Sequence, residues 1–128
     1  MFAMSSERIL LVEDELAIGE LLAHVLYAER YVVDVASTIA DAWRHLNTRR
    51  YALVIVDWRL PDGDGFEIAD AAAEAGAKTL VMSGYLFQMS SGRADQHETL
   101  MKPIRPSELI AAVERSIGGS TVECKETG

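Results

Sequence analysis

Ile55-Val56-Asp57-Trp58-Arg59-Leu60-Pro61-Asp62-Gly63-Asp64-Gly65 carries an apolar run into a single carboxylate and then into a turn. Ala52 to Asp57 reads as a buried strand, and the Pro-Asp-Gly-Asp-Gly stretch reads as a loop. Asp57 therefore stands at the exposed C-terminal end of a strand, where a carboxylate serves as a cap, a metal ligand or a nucleophile. Its partners elsewhere in the chain must decide which.

Two stretches repeat the design. Ile9-Leu10-Leu11-Val12-Glu13-Asp14-Glu15 delivers an acidic cluster at the end of an apolar strand, and Leu100-Met101-Lys102-Pro103 delivers an ammonium. Between these markers the hydrophobic period alternates. Ile18, Leu21, Leu22, Val25 and Leu26 recur at helical spacing, and Tyr31 to Ala36 reads as a strand. Thr38 and Asp41 give a capping-box signal before Ile39, Ala42, Trp43 and Leu46. Phe66 to Ala75 reads as a helix stopped by Gly76, and Lys78 to Ser83 as a fourth strand. Residues 98 to 102 read as a fifth strand, and Pro106 opens a last helix through Leu109, Ile110, Val113 and Ile117. Leu86 to His97 holds Ser90-Ser91-Gly92 in its middle, so a fourth helix there is expected to be short or irregular.

Strands alternating with helices predict an α/β fold in which right-handed crossovers build a parallel sheet covered on both faces. Sites in such sheets form outside the C-terminal ends of the strands. Those ends carry Glu13 and Asp14, then Asp57, Ser83 and Lys102, so residues distant in sequence are expected to converge. Carboxylates brought together repel one another unless a cation lies between them. A hard divalent ion fits, Mg²⁺ first and Mn²⁺ second, because it takes oxygen ligands and leaves positions open for a phosphoryl group. An aspartate can attack phosphorus to form an acyl phosphate, with Lys102 supplying charge and Ser83 a hydroxyl. Each residue alone also has a bland role, as turn cap, surface ion pair or strand end; it is their combination that points to chemistry.

At 128 residues with 49% hydrophobic side chains, the chain suits one domain. Twelve basic against twenty acidic residues give a net charge of -8, which disfavours direct nucleic-acid binding. The opening residues lack a signal peptide, no run approaches a membrane span, and the lone Cys124 suits a reducing compartment, so a cytoplasmic location is expected.

The motifs Val12-Glu13-Asp14-Glu15, Val56-Asp57-Trp58-Arg59-Leu60-Pro61-Asp62-Gly63-Asp64-Gly65, Met82-Ser83-Gly84-Tyr85 and Lys102-Pro103 together resemble the receiver domain of two-component response regulators, over residues 8 to 117. The resemblance implies a flavodoxin-like, doubly wound five-stranded parallel sheet in the order 2-1-3-4-5 with about five helices. It implies a receiver domain over residues 1–119 and a polar tail over 120–128. It makes Asp57 the phosphoryl acceptor, with Asp14, Asp57 and the Arg59 backbone carbonyl on the metal and Glu13 acting through a water. Ser83, Lys102 and the backbone N–H groups of Trp58 and Gly84 would hold phosphoryl oxygens, and the Lys102–Pro103 peptide would be cis. The phosphoryl donor would be a histidine kinase or histidine phosphotransfer protein, and the output a contact with a downstream protein, without membrane or nucleic acid.

Thr99 stands three positions before Lys102, where similar chains carry an aromatic switch residue to work with Ser83. Arg59 and Tyr85 are bulky at positions bordering the path of hydrolytic water, which predicts a long-lived phosphorylated state. His24, His45 and His97 read as surface histidines, Trp43 as core and Trp58 as partly exposed. About ten residues follow the last helix, so a receiver acting through protein contacts is expected, with a phosphate sink or shuttle as the alternative. A metal-dependent aspartyl-phosphate phosphohydrolase is a weaker third reading, because Arg59 replaces the acid such enzymes use two positions after the nucleophile. The chain is thus expected to catalyse only its own phosphorylation and dephosphorylation.

Overall fold

The structure is a computed structural model, and it describes residues 7–84 and 97–118. The elements run β1 (Arg8–Val12), α1 (Leu16–Ala28), β2 (Val32–Ala36), α2 (Ile39–Thr48), β3 (Leu53–Asp57), β4 (Arg59–Leu60), β5 (Gly63–Asp64), α3 (Gly65–Glu74), β6 (Lys78–Ser83), β7 (Glu98–Met101) and α4 (Pro106–Val113), which ends in a π-helical turn, Glu114–Gly118. The expected helix within 86–97 falls almost wholly outside the described residues.

Five strands form one parallel sheet ordered β2-β1-β3-β6-β7, which is the predicted 2-1-3-4-5 when the short β4/β5 hairpin is set aside. Because successive strand residues face opposite ways, the central strands must be apolar throughout. Leu10, Val12, Val54, Val56 and Val81 point to one face, where Ile39, Ala42, Phe66, Ile68, Ala69 and Ala72 of α2 and α3 cover them. Ile9, Leu11, Leu53, Ile55, Leu80 and Met82 point to the other, beneath Leu22, Ala23 and Leu26 of α1 and Leu109, Ala112 and Val113 of α4. Each such aliphatic side chain contributes roughly 1.5–3 kcal/mol on burial.

Trp43 departs from its expected place in the core: it is 38% exposed. Ile39, Ala42 and Leu46 already form the stripe of α2 that meets the core, and α2 lies over the β1/β2 edge of the sheet and against α3. Trp43 is left on the flank of that stripe, lining the groove between α2 and α3 with Ala71 and Ala75.

His97 departs in the opposite direction, for it is buried and not a surface histidine. Its Nδ1 lies 2.6 Å from Thr79 Oγ1 and its Nε2 lies 2.8 Å from Asp70 Oδ1, while the ring packs against Phe66. It joins the start of β7 to β6 and α3. His24 is exposed and His45 half-buried.

The start of α3 is set by a close approach. A Cβ on Gly65 would lie 2.0 Å from the Asp57 carbonyl oxygen, so only glycine fits. The Gly65 N–H donates to Trp58 O at 2.7 Å, and Asp64 caps the helix by accepting from the Phe66 N–H at 2.8 Å. The loop after Asp57 is thereby folded back onto the strand that delivers it. Among the described residues, no helix is long and apolar enough to cross a membrane.

Candidate functional site

The parallel sheet brings the C-terminal ends of β1, β3 and β6 and the residue just after β7 to one rim, and the expected residues meet there. Glu13 is 1% exposed, Asp57 7% and Ser83 1%, whereas Asp14 faces solvent. One carboxylate oxygen from each of Glu13, Asp14 and Asp57 lies within 4.8 Å of the others. Lys102 reaches in from beyond β7, with Nζ 2.9 Å from Asp57 Oδ2 and 3.1 Å from Glu13 Oε1. The Lys102–Pro103 peptide is cis.

One ammonium does not balance three carboxylates. Glu13 is held above the usual carboxylate range, first by burial and then by the charge of Asp57, against the opposing pull of the Glu15 N–H and Lys102. Burial alone would lower the Lys102 pKa, but the bonded Asp57 carboxylate and Glu13 together raise it. Glu13 Oε2 accepts from the Glu15 N–H at 3.1 Å. Glu13 Oε1 is buried against Lys102 Nζ, an ammonium that it shares with Asp57. Three hard carboxylate donors within 4.8 Å of one another, with more negative charge than one ammonium balances, fit a divalent cation.

Asp14, Asp57, Trp58, Ser83, Gly84 and Lys102 line a cavity of about 650 Å³ that opens to solvent beside the acidic cluster. Arg59 also borders it, its guanidinium carbon 4.8 Å from the centre of the half-buried Trp58 ring. The Trp58 N–H, expected to hold a phosphoryl oxygen, instead donates to Met82 O at 2.8 Å. That bond extends the β3/β6 ladder by one step, so this donor is already engaged. Thr99 lies half-buried on β7 opposite Val81. Tyr85 lies outside the described residues.

The family model of the response regulator receiver domain matches residues 9–114. The chain belongs to that family. This receiver is 35% identical over 111 residues to the response regulator RppA of Synechocystis, a match covering 81% of this chain and 47% of RppA. It is 32% identical to the transcriptional regulatory protein DltR of Streptococcus agalactiae, over 83% of this chain and 50% of that one. The receiver thus spans about half the length of these curated relatives. Among solved structures, a CheY-like receiver domain protein from Methanospirillum hungatei superposes with a TM-score of 0.81 at 27% identity, covering 93% of this chain and 99% of that one. The receiver domain of the sensor histidine kinase PA1611 from Pseudomonas aeruginosa, solved with magnesium in its active site cleft, matches with a TM-score of 0.77 at 25% identity, over 89% and 99% of the two chains. The receiver is therefore a response regulator receiver domain of two-component signalling with a flavodoxin-like fold.

Sequence reading missed the residues that hold the site's frame. Asp62 bonds the start of α2, and Glu15 acts through its main chain. Neither contact has a periodic signature, because one joins residues more than twenty positions apart and the other uses the main-chain N–H of Glu15, not its side chain.

Proposed function

We propose that the receiver is phosphorylated on Asp57 by a histidine kinase or histidine phosphotransfer protein and passes the signal on through protein contacts. The observation that carries this reading is the buried Asp57 carboxylate, 2.9 Å from Lys102 Nζ and within 4.8 Å of the Glu13 and Asp14 oxygens. An Asp57 oxygen forms the new P–O bond as the P–N bond of the donor phosphohistidine breaks. The electron pair stays on the imidazole nitrogen, which then takes up a proton.

A divalent cation, Mg²⁺ with Mn²⁺ second, neutralises the transferring oxygens when bound. Asp14, Asp57 and the Arg59 backbone carbonyl would hold it, with Glu13 acting through a water. Ser83 and the Gly84 N–H, at the end of β6, receive phosphoryl oxygens together with Lys102. Phosphorylation adds an anion at this rim and draws Ser83 and Lys102 toward it, biasing an equilibrium between conformations. The Thr99 side chain offers no aromatic ring to follow that shift. Arg59, stacked on Trp58, flanks the approach of hydrolytic water, so Arg59→Ala is expected to lose its phosphoryl group faster.

Phosphotransfer profiling against the host's histidine kinases tests the reading. One kinase or phosphotransfer protein should label the wild type at one phosphoryl group per chain and leave Asp57→Asn unlabelled. Equal labelling of Asp57→Asn would refute it.

A further inference from the structure

We infer that Asp62 is a positioning residue for the acidic site: it fastens the loop after Asp57 to the N-terminus of α2 and so fixes the Arg59 main chain. The inference rests on the cation-site reading proposed above.

A helix leaves its first N–H groups without intrahelical partners. In α2 the local cap takes only one of them, Thr38 Oγ1 accepting from the Asp41 N–H at 3.0 Å. The two before it are taken from across the structure. Asp62 Oδ1 accepts from the Ile39 N–H at 2.8 Å and Oδ2 from the Ala40 N–H at 3.1 Å. Both carboxylate oxygens are thus engaged, at the end of the helix that favours an anion. The hydrogen bond from Ile39, with that from Ala40, outweighs lost hydration and holds the Asp62 carboxyl below its usual range.

The hairpin that carries Asp62 has Arg59 opposite Asp64 and Leu60 opposite Gly63. Its base is fixed to α3 by the Gly65 N–H to Trp58 O bond and by the Asp64 cap. Its tip, Pro61–Asp62, is held through Asp62, and the neighbouring Gly63 packs on Ile39, where an added Cβ would lie 3.0 Å from Cδ1. Arg59 borders the acidic cavity from within this hairpin. Leu60, buried in the core beside Ile39 and Phe66, anchors one strand of the hairpin, so loss of the Asp62 bonds loosens the tip without freeing the hairpin and shifts the Arg59 carbonyl.

Calorimetric titration with MgCl₂ of the full chain, comparing wild type, Asp62→Ala, Asp62→Asn and Thr38→Ala, tests the inference. Asp62→Ala should weaken Mg²⁺ by roughly tenfold, the lower end of what loss of an outer partner does to a metal site. Asp62→Asn keeps one acceptor oxygen without the charge and should fall between. Thr38→Ala loosens the same helix without touching the hairpin and should bind as the wild type does. Should Asp62→Ala fail to fold in thermal melts, the Asp62→Asn result decides alone. Wild-type affinity in the folded Asp62 variants, or equal weakening in Thr38→Ala, overturns the inference and leaves the site reading intact. A wild type that does not bind Mg²⁺ overturns both.

Discussion

Two ionic centres in this receiver are built to opposite rules. On the edge strand β2, the single carboxylate of Asp34 accepts from Tyr51 Oη at 2.7 Å, and Arg8 and Arg49 lie at 3.3 and 3.6 Å from it. At the rim of the sheet, Glu13 and Asp57 share the ammonium of Lys102, with the Asp14 carboxylate beside them. The first centre is saturated with donors, and burial is outweighed so that Asp34 lies below its usual range. The second is short of positive charge, and Glu13 is pushed the other way. A satisfied centre contributes to stability and does little else; an unsatisfied one has affinity left over for a ligand.

The largest expected effect breaks the second centre. Neutralising it in Glu13→Gln/Asp14→Asn should weaken Mg²⁺ binding by roughly a hundredfold or more, measured by calorimetry, because loss of an outer partner alone can reach that and Asp14 is proposed as a direct ligand. The metal-free protein should lose no stability in denaturant melts, because the substitution relieves repulsion. The matching change in the first centre reverses both outcomes. Tyr51→Phe should cost about 1–2 kcal/mol, the range for a hydrogen bond to a charged group at a partly exposed site, and leave Mg²⁺ affinity unchanged. A Tyr51→Phe protein that bound Mg²⁺ differently would mean the two centres are coupled.

His97 offers an intermediate case, a buried polar side chain satisfied at both ring nitrogens. His97→Phe keeps the apolar ring but removes both hydrogen bonds of the imidazole, to Thr79 Oγ1 and Asp70 Oδ1, and should cost about 1–2 kcal/mol in the same melts.

The smallest effect is in pH, and its sign differs between the centres. A carboxyl whose folded pKa is depressed stabilises above its unfolded pKa and loses that contribution as pH falls through the folded value. Asp34 follows this rule below its usual 3.8. Glu13 is raised, so its ionisation costs stability as pH rises from its usual 4.5 through the higher folded value. Comparing stability from acid to neutral pH in Asp34→Asn and Glu13→Gln should therefore flatten opposite limbs of the wild-type curve, without added metal.

Much of this was legible in the chain because the relevant signals are local. Runs such as Ile9 to Val12 and Leu53 to Val56 announce strands buried on both faces, and a parallel sheet then brings their C-terminal ends together. Glu13, Asp14, Asp57, Ser83 and Lys102 therefore needed only the strand pattern to be gathered at one rim, and Trp58 is half-buried as expected. What escaped depends on tertiary contact. Trp43 occupies a helical position that a period alone places near the core, yet α2 overhangs the sheet edge. His97 is polar in an irregular stretch, and only the neighbouring Asp70 and Thr79 make burial tolerable. The engaged Trp58 N–H follows from where the β3/β6 ladder stops, a boundary that side chains do not encode.

The most direct test of the unsatisfied centre is Asp57 phosphorylation by a small phosphoramidate, read by peptide mass spectrometry with and without Mg²⁺. A single phosphoryl group on the Asp57 peptide, formed only when the cation is present, is the predicted result. Labelling at another residue, or equal labelling of Asp57 in the presence of a chelator, would contradict the account.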